Sequence, residues 1–180
     1  MVVLKGQFWS IDAMFGLFIF SIALIIAAFI WTSVNNQIAT SLSSSTTIIK
    51  LETQTFALSL LSEGAPNNWY SVINTTNTTT WQNIYVGLES SSKPKSISPN
   101  KLAALISMSN YDYQATKQSL GIGYDYYISI EGKLLDINIG RNPLAYNAIT
   151  IFKVNETSFY DNEPVNVEVY LWSNTTLGIS

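Results

Sequence analysis

Residues Ala13–Trp31 read AMFGLFIFSIALIIAAFIW, nineteen consecutive positions in which Ser21 is the one polar side chain. Coiled at about 1.5 Å per residue they form a helix roughly 28 Å long, close to the hydrocarbon thickness of a bilayer. Eleven of them are Leu, Ile or Phe. Each such residue favours insertion by about 0.3–0.6 kcal/mol, so the run inserts with roughly −5 kcal/mol. Asp12 sits at the edge of the run, where a charge costs far less than at the centre. A secretory signal has a shorter apolar stretch, about 7–15 residues, followed by an A-x-A-like cut. No such cut follows this run. A membrane-spanning helix is therefore expected. Lys5 is the only basic side chain near either end, none occurring from Thr32 to Ile49. By the positive-inside rule the short N-terminus is cytoplasmic and the chain beyond Trp31 is extracellular.

The whole chain of 180 residues is 47% hydrophobic and only 12% charged, with nine Lys plus Arg against twelve Asp plus Glu and a net charge of −3. That charged fraction is about half of what a soluble domain carries. Cysteine and histidine are both absent. Their absence excludes Ser-His-Asp and Cys-His catalysis, disulfides, CxxC redox pairs and ordinary zinc or haem centres. An acidic chain without a basic cluster is not expected to bind nucleic acid. Ser98-Pro99-Asn100-Lys101 and Ser90–Lys93 match an SxxK pattern. The first reads as a helix cap, the second as a loop, and neither surrounding suggests the burial a Ser-Lys pair needs. Asp112, Asp125 and Asp161 are scattered without EF-hand spacing, and Gly121-Ile122-Gly123 lacks the third glycine of a phosphate loop. No catalytic residue, metal or cofactor is expected.

Immediately before the apolar run stands Lys5-Gly6-Gln7-Phe8-Trp9-Ser10-Ile11-Asp12. Ser10 suits a helix N-cap, and Asp12 suits the first turn, where the helix dipole favours a carboxylate. A short basic leader ending in Lys5-Gly6, then Gln7 and a long hydrophobic helix, resembles the class III signal peptide of archaeal type IV pilin-like proteins. The resemblance implies a prepilin peptidase as partner, cutting between Gly6 and Gln7 on the cytoplasmic side. It also implies that the helix remains as a membrane anchor or as the core of a filament, packed against like subunits. Pilins typically place an acidic residue fifth in the mature chain, where it pairs with a neighbour's amino terminus. Counted from Gln7, Asp12 is sixth. A filament subunit and a monomeric anchored binding domain both stay open on this reading.

Beyond the membrane, Val34, Ile38, Leu42, Ile49, Phe56 and Leu60 keep to one helical face. A continuous helix from Ile11 to Glu63 would be roughly 80 Å long, with breaks conceivable at Asn35-Asn36 or Ser43–Ser45. Gly64 and Pro66 stop it. The expected organisation is a leader over 1–6, a transmembrane helix over 7–31, an amphipathic stalk over 32–63 and an extracellular head over 64–180. Four sequons, at Asn74, Asn77, Asn155 and Asn174, fall on the outer side and mark candidate N-glycosylation sites.

In the head, Ser98-Pro99 begins one short helix, and a second is expected from Tyr111 to Leu120, ended by Gly121. The period then changes to two. Tyr124, Tyr126, Ile128 and Ile130 alternate with polar positions, Gly132-Lys133 suits a hairpin turn, and Leu135, Ile137 and Ile139 return. Ile149–Val154 and Val165–Trp172 supply two more strands, the last with Val165, Val167, Val169 and Leu171 facing one way. The predicted fold class is α+β, with an antiparallel sheet packed on the C-terminal half of the long helix. The runs Gly64–Trp69, Ser98–Met108 and Leu120–Asp125 also resemble other archaeal pilin-like surface proteins.

Overall fold

The computed structural model describes residues 6–175, with side chains outside residues 6–10 and 41–45. Helix α1 (Gly6–Leu60) is helical through both places where a break was conceivable. By its contacts the chain forms two units, Met1–Ser44 and Ser45–Ser180.

In the first unit, Ile11–Thr40 is long and apolar enough to cross a membrane, and its most apolar stretch has no buried residue. Phe29 and Trp31 are 73% and 69% exposed. A helix with apolar side chains bare all round suits lipid and not a protein core. Its few hydroxyls are compatible with that. Ser21 Oγ donates to Leu17 O at 2.7 Å, and Thr32 Oγ1 donates to Phe29 O at 2.9 Å. Neither polar group is left without a partner in hydrocarbon. Val34 and Ile38 are exposed too; the side chain of Leu42 lies outside the described residues, and among those described the core-facing stripe starts at Ile49.

In the second unit, α1 buries Ile49, Thr53, Phe56, Ala57 and Leu60. Thr53 escapes a purely apolar pattern. Its hydroxyl donates to Ile49 O at 2.6 Å, which removes the cost of burying it. Beyond α1 come α2 (Trp69–Val72), a 3-10 turn (Thr78–Trp81), β1 (Glu89–Ser90), β2 (Lys93–Ile97), α3 (Pro99–Tyr111), α4 (Tyr113–Ser119), β3 (Asp125–Gly132), β4 (Asp136–Gly140), β5 (Thr150–Tyr160) and β6 (Glu163–Ser173). The six strands form one sheet in the order β1-β2-β5-β6-β3-β4. Tyr126, Ile128 and Ile130 of β3, Ile139 of β4 and Val165, Val167, Val169 and Leu171 of β6 form its buried face. That face shares one core with the end of α1 and with Leu102, Leu105 and Met108 of α3.

The sheet is mixed, which corrects the antiparallel expectation. β2 pairs with β5 in parallel at Ser96↔Phe159, while the other pairs are antiparallel. Two helices and a hairpin separate β2 from β5, so the chain has the length to re-enter in the same direction. β1 and β2 carry no alternating apolar signal; Lys93, Pro94 and Lys95 are exposed and only Ile97 is buried. Proline and lysines there fit a strand near a sheet edge.

Element boundaries move for local reasons. Asp112 ends α3 and caps α4, its Oδ1 accepting from Ala115 N at 3.0 Å, so Tyr111 closes α3 and the second of the two expected helices begins at Tyr113. Strand β5 extends to Tyr160, past the last apolar alternation at Val154. Asp161 and Asn162, with φ of 50° and 69°, turn it into β6, the left-handed pair a type I′ hairpin demands. At the other hairpin the tip is Lys133-Leu134, since Gly132 N donates to Leu135 O at 2.7 Å. Gly64 and Gly87 lie back to back, and a Cβ on either would overlap the other's backbone. Trp69 Nε1 donates to Gly87 O at 2.9 Å across the same junction.

Leu60 is fully buried, whereas Leu58 is 66% exposed on the opposite side of the same helix. Leu60→Ala is expected to cost about 2–5 kcal/mol and Leu58→Ala about 0.5 kcal/mol or less, read by denaturant unfolding of the full chain. Equal losses would show that this helix does not bury the face described.

Candidate functional site

At the start of α1, Lys5 lies outside the described residues, and Gly6 and Gln7 open the helix. Ser10 falls inside it, not at its cap, because no proline or other breaker interrupts Gly6–Trp9. Asp12, about two turns from the helix start, is exposed and has no ion pair among the described residues. An isolated carboxylate at the edge of an apolar helix is costly in lipid unless something pairs with it.

Farther along α1, in the second unit, Ile48, Leu51 and Leu58 are exposed. At 100° per residue Leu51 and Leu58 lie roughly opposite Ile49, Phe56 and Leu60, with Ile48 on the flank between the two sides. The helix therefore offers one apolar face to its own sheet and a second to the surroundings.

Asn74 and Asn77 are both exposed, on a loop held from within. Asn74 Oδ1 accepts from Thr76 N at 3.0 Å and Thr76 Oγ1 at 2.8 Å; Asn77 Oδ1 accepts from Thr79 N at 3.2 Å and Thr79 Oγ1 at 2.7 Å. Both sequons thus share one turn geometry. Two residues the sequence reading passed over secure it. Thr80 Oγ1 accepts from Asn74 N at 2.9 Å, and the buried Trp81 donates from Nε1 to Asn74 O at 2.8 Å. A tryptophan following a Thr-rich sequon pair was the available clue. Asn155 is exposed in mid-strand on β5. Asn174 is exposed after β6, with the third residue of its sequon outside the described residues.

The SxxK lysine is structural in its contacts. Lys101 is buried, and its Nζ donates to Glu63 O at 2.6 Å and Glu89 O at 2.7 Å, tying the end of α1 to β1. Burial lowers its pKa, opposed by the Glu63 and Glu89 carboxylates. In both contacts Nζ is the donor, bridging two main-chain carbonyls. Ser98 occupies the N-cap position of α3 without a side-chain cap bond. Among the described residues no group of three or more acidic side chains is placed to hold a metal ion. Asp125 accepts from Tyr113 OH at 2.8 Å and faces Lys117 at 3.8 Å.

An aromatic and electrostatic cluster surrounds Tyr113. Its ring stacks on Tyr126 at 4.9 Å, and the Arg141 guanidinium lies 4.2 Å from its centre. Tyr126 N donates to Tyr113 Oη at 3.0 Å, and Tyr126 OH donates to Ser109 Oγ at 2.9 Å. Burial raises the pKa of both phenols, that of Tyr126 to about 12 against the opposing effects of Ser109 and Arg141. In the unfolded chain a tyrosine ionises near pH ~10. Between those values the folded state holds the extra proton, so stability falls as pH rises through that window and is unaffected below it. Tyr126→Phe is expected to flatten this alkaline loss by on the order of 2 kcal/mol, measured by urea unfolding at stepped alkaline pH. An unchanged alkaline slope would refute the assignment. Comparison with protein-family models, curated proteins and solved structures finds no match to this chain.

Proposed function

We propose that the chain is a membrane-anchored surface protein of the archaeal pilin-like kind, a subunit or minor subunit of a type IV filament or secretion machine. The observation that carries this reading is α1 itself. One helix includes a bare apolar segment of membrane-spanning length, Ile11–Thr40, and then supplies core residues Ile49, Phe56 and Leu60 to an α+β head. Its second apolar face, Ile48, Leu51 and Leu58, suits packing against like helices. In this reading Lys5 lies in the cytoplasm and a prepilin peptidase cuts after Gly6. The mature chain then starts at Gln7, and the head stands outside the cell. The mechanism is structural: helices pack, and heads present their surfaces, with glycans on the exposed sequons. No catalytic step is assigned to it.

The position of Asp12 supports a second reading, a monomeric single-pass anchor carrying an extracellular binding domain. Its place as sixth residue after the cut removes the usual register for pairing with a neighbour's amino terminus.

N-terminal sequencing of protein from native membranes tests the processing step. A terminus at Gln7 is expected; a chain still carrying Lys5-Gly6 would defeat the pilin reading. For assembly, Asp12→Ala is expected to abolish higher-order species in cross-linked membranes while leaving the monomer folded. A wild-type protein that cross-links only as a monomer favours the anchored domain instead. Intact-mass measurement of the same material should find sugar on at least one of Asn74, Asn77, Asn155 and Asn174, and four unmodified asparagines would remove glycosylation from the account.

A further inference from the structure

A groove of about 780 Å³ opens in the second unit between Glu52–Ser59 of α1, the segment from Thr78 to Val86, and the end of α4 with Gly121 and Ile122. Its volume is that of a small-ligand site. Its base is apolar and rigid: Phe56, Trp81, Ile84 and Ile122 are all buried core side chains. Its walls are of a different chemistry. The amides of Gln82, Asn83 and Gln118 and the hydroxyls of Thr55, Ser59 and Thr78 line it. Among the described residues none of these six side chains makes a hydrogen bond to protein. The neighbouring sequon loop behaves in the opposite way, with Asn74, Thr76, Asn77, Thr79 and Thr80 all bonded to one another or to backbone. Open donors and acceptors therefore converge on one concavity.

Two further features narrow the ligand. Tyr85 at the rim is 74% exposed, yet its backbone is fixed, since Tyr85 N donates to Ala65 O at 2.8 Å and Ala65 N donates to Tyr85 O at 2.9 Å. The backbone thus holds Tyr85 at the rim, and its ring presents a flat apolar surface to solvent. Glu52 accepts from Gly123 N through Oε1 at 2.7 Å, and its Oε2 has no hydrogen-bond partner among the described residues. No lysine or arginine lines the groove, so nothing there neutralises a phosphate, sulfate or carboxylate ligand. The paired Tyr85 backbone leaves no strand edge at that residue for a peptide to extend.

We infer that this groove binds a neutral carbohydrate. A sugar ring offers what the site lacks: rows of hydroxyls for amides, hydroxyls and a free carboxylate oxygen, and a C–H face for an aromatic ring. The inference does not depend on filament assembly. The sugar has two possible sources. Thr78 lines the groove next to the Asn77 sequon, so the chain's own glycan could reach it, a source that rests on the glycosylation reading. The other source is carbohydrate on another surface.

The test uses the full, unglycosylated chain in phospholipid nanodiscs, which avoids glycoside detergents, with saturation-transfer NMR. The probes are maltotriose, mannotriose, cellotriose and chitotriose, with a sulfated heparin disaccharide as the charged control. At least one neutral trisaccharide is expected to bind and the heparin disaccharide not to. Tyr85→Ala and Gln118→Ala, both at exposed positions, should each weaken that binding by about ten-fold without changing thermal unfolding. Tyr127→Phe on the sheet's other face should leave it intact. Failure of all four trisaccharides, preference for the heparin disaccharide, or binding indifferent to both groove substitutions overturns the inference. With protein from native membranes, trisaccharide binding that appears only in Asn77→Gln assigns the chain's own glycan as occupant. Binding in both forms assigns an external carbohydrate.

Discussion

Phe56 meets Tyr126 edge to face, ring centres 6.4 Å apart, where the last turns of α1 close over the sheet. Around that contact Ile49, Thr53, Ala57 and Leu60 are buried together with the inward residues of β3 and β6. Each large apolar side chain so buried stabilises the fold by about 1.5–3 kcal/mol. α3 adds Leu102, Ala104, Leu105 and Met108 to the same core, and Trp81, Ile84, Val86 and Leu88 join them. Backbone bonds then fasten the helix end, with Leu88 N donating to Leu60 O at 2.7 Å and Glu89 N to Ser62 O at 2.9 Å. Lys101 reaches the carbonyls of Glu63 and Glu89 at the same junction. The end of α1 and α3 cover the sheet together, and the core depends on both.

That dependence gives the proposed function its physical basis. The same helix α1 contains both the apolar segment Ile11–Thr40, long enough to cross a membrane, and the core residues Ile49, Phe56 and Leu60. In the apolar segment, hydroxyls return to the helix's own carbonyls, as a low-dielectric surround requires. In the head, the three largest buried side chains, Trp69, Trp81 and Trp172, each donate an indole N–H to a loop carbonyl. Both regions meet the same demand for paired polar groups by different partners.

Much of the fold was legible in the sequence where one period ran without interruption. The apolar run Ala13–Trp31 announces a membrane-length helix, and Val165, Val167, Val169 and Leu171 announce a one-sided strand. β2 was not legible, because Lys93-Pro94-Lys95 has no alternation and its pairing with β5 is decided by residues more than sixty positions away. Buried Thr53 and Lys101 were invisible for a related reason: their burial depends on acceptors that only the folded backbone supplies. The sequons could be read as motifs, yet the turn they share could not. Nor could the groove. Its walls come from three separated stretches of polar residues, and only their convergence on an apolar base gives them meaning.

Amide hydrogen exchange of the full chain in nanodiscs tests most directly the claim that α1 is an integral part of the head. The account predicts that amides of residues 53–60 exchange as slowly as those of β3 and β6, and that all lose protection together as denaturant rises. Fast exchange at residues 53–60 beside a sheet that stays protected would contradict it.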